Sequence, residues 1–297
     1  MATTETKTVA MADVLAARQR IWEYVWPTPS YQSISLSEHT GTGAVLKLET
    51  THPVHVFKVR GAFNRLLSLP ADQLRHPVVT ASSGNHGLAL AYAARTLGAR
   101  AIVFVPENAN PVKTGAIRRQ GAEVVPKGHD YDAAYEAAIH ASQEQGATFV
   151  HAFNDPQIVA GQGTIGLELA ERHPTIEAVL VPVGGGGLIG GVALAIKTLL
   201  PSARVIGVQT EGANSAYLAL QAGSIQDRPA MSTIADGLAV RRLGDLTWAL
   251  IRQYVDDIVL VTNDELRSAV RWILDEERLL VEPSGVAALA GALYRVP

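Results

Sequence analysis

Short apolar, β-branched runs alternate with longer Ala- and Leu-rich stretches along most of this chain, the pattern of repeated strand–helix units in a parallel sheet. Runs at 77–81, 101–105, 123–126 and 148–152 have strand length, and the stretches between them, 87–97, 111–119 and 131–144, read as helices. Gly98-Ala99, Gly121-Ala122 and Gly146-Ala147 each fall where a helix should stop and the next strand begin. A second series follows, with strands at 178–183, 204–209 and 257–261 and helices at 188–200, 214–222 and 264–277. Residues before 70, with a helix at 14–24 and a strand at 44–48, are assigned to this second unit because the middle block is self-contained. The expected architecture is α/β, with two parallel-sheet domains: a small one (76–152) inserted in a larger one (1–75 and 153–297), and a ligand in the cleft between them.

Composition narrows the chemistry. The 297 residues are 47% hydrophobic, enough for a sizeable core, and carry 25 Lys plus Arg against 28 Asp plus Glu. A net charge of −3, with only the short basic doublets Arg118-Arg119 and Arg241-Arg242, argues against nucleic acid or an anionic membrane as partner. The absence of cysteine excludes disulfides, thiolate nucleophiles and Cys-ligated metals. Nothing in residues 1–11 marks export, so a cytoplasmic setting is expected. The uncharged run 178–196 is long enough to span a bilayer, but Pro182 and six glycines favour a buried strand, a glycine loop and a buried helix.

Three segments carry candidate chemistry. Gly184-Gly185-Gly186-Gly187 lies between an apolar strand and an apolar helix, where inward-turned N–H groups and a helix N-terminus suit a phosphate; a turn made for tight packing is the alternative. Gly185, Gly187 and Gly190 also satisfy the dinucleotide-binding spacing, with Glu211 placed as a ribose-binding acid, so an oxidoreductase stays open here. Lys58 sits among apolar neighbours just before a helical pattern, where a dry pocket would favour its neutral, nucleophilic form; a merely solvated lysine is the alternative. Ser82-Ser83-Gly84-Asn85-His86-Gly87 opens another helix with hydroxyls, an amide and free N–H groups, suited to a carboxylate or an aromatic oxygen and exceeding what a helix cap requires.

Together, and with Asn154-Asp155-Pro156, Ala160-Gly161-Gln162-Gly163-Thr164, Thr233-Ile234-Ala235-Asp236-Gly237 and Glu282-Pro283-Ser284-Gly285, these segments resemble one family over nearly the whole chain. It is the pyridoxal-phosphate enzymes of the tryptophan-synthase β-subunit fold (fold type II), in the serine/threonine dehydratase and serine racemase branch. The resemblance implies pyridoxal 5'-phosphate held by Lys58 as a Schiff base, with Lys58 then acting as the base at Cα. It implies a phosphate bound by Gly184, Gly185, Gly186 and Gly187, a ring flanked by Phe57, and Asn85 on the phenolic oxygen. Ser82, Ser83, Gly84, Asn85 and His86 would hold the amino-acid carboxylate, with Asn154 nearby; for His86 and Asn154 a structural hydrogen bond is the alternative. Ser83 corresponds to the serine that serves racemases as second acid/base on the opposite face. The implied activity is removal of water from a β-hydroxy-α-amino acid of the threonine, serine, hydroxyaspartate or phenylserine type. Racemisation is the alternative, and a homodimer is expected. A silent amino-acid sensor on the same fold stays open.

Three departures qualify the resemblance. Val54-His55-Val56 stands where Thr-Gly-Ser is usual, which suggests an unusual, bulky or aromatic substrate. Gln209 and Ser215 stand where many relatives place metal-binding carboxylates, so no metal is expected there. The family's segment that meets the pyridine nitrogen lies past the Glu-Pro stretch, beyond Pro297, so no partner for that nitrogen is assigned.

Overall fold

The computed structural model describes residues 8–228 and 231–296. The chain opens with α1 (Met11–Ile21), then β1 (Ser30–Ser33), α2 (Ile34–Thr40), β2 (Ala44–Lys47) and α3 (Val59–Leu67). Next come β3 (Val78–Ala81), α4 (Asn85–Thr96), β4 (Ala101–Val105), α5 (Pro111–Arg119), β5 (Glu123–Pro126), α6 (Tyr131–Glu144) and β6 (Thr148–Phe149). The long helix α7 (Pro156–Arg172) leads to β7 (Ala178–Pro182), α8 (Gly187–Leu199), β8 (Arg204–Thr210), α9 (Ser215–Ala222), α10 (Asp245–Tyr254), β9 (Asp257–Val261), α11 (Asn263–Glu277) and α12 (Ala287–Tyr294).

Two parallel sheets result, ordered β5-β4-β3-β6 and β7-β8-β9. The central strands β3 and β4 are buried along their whole length, as continuous apolar runs in an α/β protein should be. Asn110 caps α5 and Asp130 caps α6 by accepting backbone N–H bonds, which is why those helices start where polar residues meet the apolar periodicity. Gly98 and Gly146 take φ of 70° and 59°, a left-handed turn that lets Ala99 and Ala147 bond back onto the helices they leave.

The expected strand at 148–152 is shorter, because the chain turns at His151, whose Nδ1 accepts the N–H groups of Phe153 and Asn154 at 3.1 and 2.9 Å. The strand expected at 44–48 joins neither parallel sheet; it pairs antiparallel with β1. Nor does the segment before residue 70 pack on one unit alone: α1 lies on α7, while α3 lies against both α7 and α4. A single apolar cluster accordingly joins Val59, Phe63 and Leu66 to Leu90, Val103 and Ile117. Run 178–196 divides into β7, a loop and α8, and no helix among the described residues is long and apolar enough to cross a membrane.

Helix α7 is the junction of the molecule. Asp155 caps it through the N–H groups of Gln157 and Ile158, and Pro156 occupies its first position. Its glycines allow backbone to meet backbone: a Cβ on Gly161 would lie 2.6 Å from the Gly61 Cα on α3, and one on Gly191 of α8 would lie 2.3 Å from the Val159 carbonyl oxygen. Gly161→Ala is therefore expected to push α3 away from α7 and lower stability by about 1–3 kcal/mol. Gly115→Ala on α5, where a Cβ meets only the far end of Arg119, should be neutral or stabilising by about 1 kcal/mol or less. Thermal unfolding of the two variants checks the contrast.

Candidate active site

Lys58 is the N-cap residue of α3, so the helix that α7 clamps also fixes the lysine backbone. Its Nζ lies 3.4 Å from the Ala152 carbonyl oxygen and 5.0 Å from the centroid of the Phe57 ring. Burial pushes the Lys58 ammonium down to about 8, with the Glu282 carboxylate opposing. Burial, together with the Lys58 charge, brings His86 down to about 3. His151 falls to about 4, chiefly through burial, with Asp155 opposing and Lys58 adding to the effect. Both imidazoles are thus neutral at physiological pH.

A series of contacts links the segments near the lysine. From Ala152 the chain passes to Phe153, whose ring would lie 2.3–2.5 Å from a Cβ on Gly185. A Cβ on Gly184 would lie 3.0 Å from the Gly237 carbonyl oxygen, and one on Gly237 would lie 2.8 Å from the Ser284 hydroxyl. Glu282, two residues from Ser284, accepts a 2.5 Å hydrogen bond from the Asn85 amide. These contacts bring the glycine loop and the Ser82–Asn85 loop to the neighbourhood of Lys58. The glycines serve tight packing as well as access.

Two helix N-termini offer N–H groups at this place. Gly186 takes φ 89° as the N-cap of α8, and among the described residues no protein acceptor meets the N–H groups of Gly184 to Gly187. At α4, capped by Gly84, the N–H groups of Ser83, Asn85 and His86 are likewise without one, and the Ser83 hydroxyl makes no hydrogen bond. Such ends attract anions. His86 and Asn154 have bonds that serve the fold: His86 Nε2 meets the Val150 carbonyl oxygen at 3.3 Å, and Asn154 Oδ1 accepts the Leu246 N–H at 3.2 Å. His55 is exposed at φ 58° with Nδ1 on the Thr50 carbonyl oxygen, and Val54 and Val56 are core residues. Nothing in that geometry turns the imidazole toward a substrate.

Sequence reasoning gave no role to His151, Phe153 or Glu282. Of these only Glu282 carries a sequence signal, as the first residue of Glu282-Pro283-Ser284-Gly285. The resemblance's metal positions do not fit a cation. Gln209 donates to the Val183 carbonyl oxygen and accepts the Tyr217 N–H, and Ser215 donates to the Val240 carbonyl oxygen. Among the described residues no cluster of three metal-ligating side chains occurs.

A lysine with a lowered pKa and two helix ends with free N–H groups have the chemistry to take a phosphorylated carbonyl compound. The comparisons agree. Residues 21–296 match the family described as "Pyridoxal-phosphate dependent enzyme", and the chain belongs to it. It is 40% identical over 288 residues to an L-threonine ammonia-lyase of Thermotoga maritima, covering 97% of this chain and 72% of that one. It is 44% identical over 279 residues to an L-threonine ammonia-lyase of Geobacter sulfurreducens, covering 94% and 69%. The structure of maize serine racemase superposes with a TM-score of 0.94, at 36% identity, covering 97% of this chain and 88% of that one. The cofactor is pyridoxal phosphate, and the dinucleotide reading of Gly185, Gly187, Gly190 and Glu211 is set aside: Gly190 packs on Leu250.

The lowered Lys58 value makes a testable prediction. Uptake of pyridoxal phosphate by the apoenzyme needs the neutral amine, so its rate should rise about tenfold from pH 7 to pH 9 and level off there. Stopped-flow absorbance would show this; a rate still climbing tenfold per unit above pH 9 would mean an ordinary lysine.

Proposed function

We propose that the protein is a lyase that converts a β-hydroxy-α-amino acid of the threonine or serine type into a 2-keto acid and ammonia. The observation that carries this reading is the Lys58 amine, depressed to about 8 and set between two free helix N-termini. Relatives named L-threonine ammonia-lyase support the substrate class. The cofactor, when bound, withdraws electron density from the Cα–H bond of the amino acid.

The chain's own residues supply the rest. Lys58 would hold the cofactor and take the Cα proton, and Gly184 to Gly187 would bind the phosphate, fixing orientation through contacts far from the reacting carbon. Ser82, Ser83, Gly84, Asn85 and His86 would hold the carboxylate, Phe57 would flank the ring, and Asn85, steadied by Glu282, would face the phenolic oxygen. The β-hydroxyl leaves with a proton as water, and water taken up later releases ammonia, so the atoms balance without a net reactant. The proposal includes a homodimer in the cytoplasm, with 76–152 as the small domain and 1–75 plus 153–297 as the large one.

Racemisation is the second reading, favoured by the hydroxyl of Ser83, which makes no hydrogen bond among the described residues. The two readings separate in deuterated water. Keto-acid formation from L-threonine or L-serine should dominate over exchange into the D-enantiomer. Ser83→Ala should abolish that exchange while leaving elimination within about tenfold, a change of about 1.4 kcal/mol. Enantiomer exchange faster than keto-acid release would make racemisation the main activity.

A further inference from the structure

A buried polar cluster centred on Arg60 lies behind Lys58 and takes no part in the chemistry described so far. Arg60 is 1% exposed and sits two positions after Lys58 in the first turn of α3. At about 100° per residue the two side chains leave the helix on opposite sides, so Arg60 faces away from the lysine's pocket. Its Nε and Nη2 meet the two Glu49 oxygens at 2.8 and 2.9 Å, and its Nη1 and Nη2 meet the two Glu168 oxygens at 2.5 and 3.0 Å. Thr164 and Thr28 accept from the same nitrogens at 3.0 and 3.3 Å. Lys47 donates to Glu168 at 2.5 Å, and His52 meets Glu49 at 3.1 Å. Two cations thus balance two carboxylates.

This arrangement is poorly explained by stability alone, because buried ion clusters often stabilise no more than an apolar core would. What it does is hold a place. Two planar two-pronged pairs fix the guanidinium in all directions, as a single ammonium could not. Glu49 precedes the loop that carries Lys58, and Glu168 and Thr164 belong to α7. Thr164 also donates to the Gly161 carbonyl oxygen, at the glycine contact between α7 and α3. The loop 49–60 is thereby gripped at both ends, with Lys58 projecting from the front.

We propose that Arg60, clamped by Glu49 and Glu168, is a positioning residue that sets the orientation of Lys58 toward the cofactor. The inference rests on Lys58 carrying pyridoxal phosphate. Arg60→Lys keeps the charge and loses the fork, whereas Glu168→Gln keeps the shape and loses the charge that pairs with both Arg60 and Lys47. Purified holoenzyme of each, with wild type and Lys58→Ala alongside, would be followed by the visible absorption band of the lysine-linked cofactor, titration with pyridoxal phosphate, kcat and KM for L-threonine, and thermal unfolding. In both variants pyridoxal phosphate should bind at least tenfold more weakly and kcat should fall at least tenfold, with KM within threefold and unfolding still cooperative. If Arg60→Lys does not fold, Glu168→Gln carries the same readout. Wild-type cofactor affinity and kcat in folded variants with only a lower melting temperature would make the cluster purely structural and overturn the proposal. A wild-type band that persists in Lys58→Ala would overturn the assignment of Lys58, and this inference with it.

Discussion

The distance between α3 and α7 governs the site. Glycine is among the weakest helix formers, by about 1 kcal/mol relative to alanine, yet α7 contains Gly161, Gly163 and Gly166 within two turns. Each stands where a side chain would strike a neighbouring element: Gly61 at Gly161, Val14 and the Gly191 carbonyl oxygen at Gly163, and the Val192 carbonyl oxygen at Gly166. Local helix preference is given up so that one helix can touch α1, α3 and α8 at backbone distance. Since Lys58 caps α3 and α8 begins in the glycine loop, α7 sets the separation between the amine and the free N–H groups of that loop.

Around this frame the electrostatics point one way. Burial disfavours charge on Lys58, His86 and His151 together, and the first two repel each other when both are charged, so the neutral forms support one another. Glu282 is the nearby opposing charge, and its hydrogen bond to Asn85 ties it to the loop that opens α4. Behind the lysine the signs reverse. Burial alone would raise Glu49 and lower Arg60, but their mutual contact holds Glu49 well below the carboxylate range and Arg60 above its ordinary value. A charged, rigid back and a front where burial lowers the lysine's pKa suit a nucleophilic lysine on a fixed stem.

Much of this was legible in the order of residues, and the exceptions have one cause. Strands 101–105, 123–126 and 257–261 and helices 111–119 and 131–144 lie where their patterns place them, because buried parallel strands and capped helices carry their signals locally. Helix α7 was not predicted: its glycines, read one segment at a time, weaken a helical pattern, and their purpose is visible only against Gly61 and Gly191. The Arg60 cluster draws Lys47, Glu49, His52 and Glu168 from separate stretches and has no spacing rule. In the site, Lys58 and the two loops were readable because strand–loop–helix boundaries announce themselves, whereas His151, Phe153 and Glu282 join through tertiary contacts. His55 was misleading. Its position beside Phe57 and Lys58 in sequence suggested a role toward substrate, but its ring turns back to Thr50.

Lys58 is the residue proposed to carry pyridoxal phosphate. Borohydride reduction of the holoenzyme followed by proteolysis and mass spectrometry tests it most directly. The account predicts the phosphopyridoxyl group on the peptide containing Lys58 and on no other. Label on Lys47 or Lys113, or a cofactor that washes away unreduced, would contradict it.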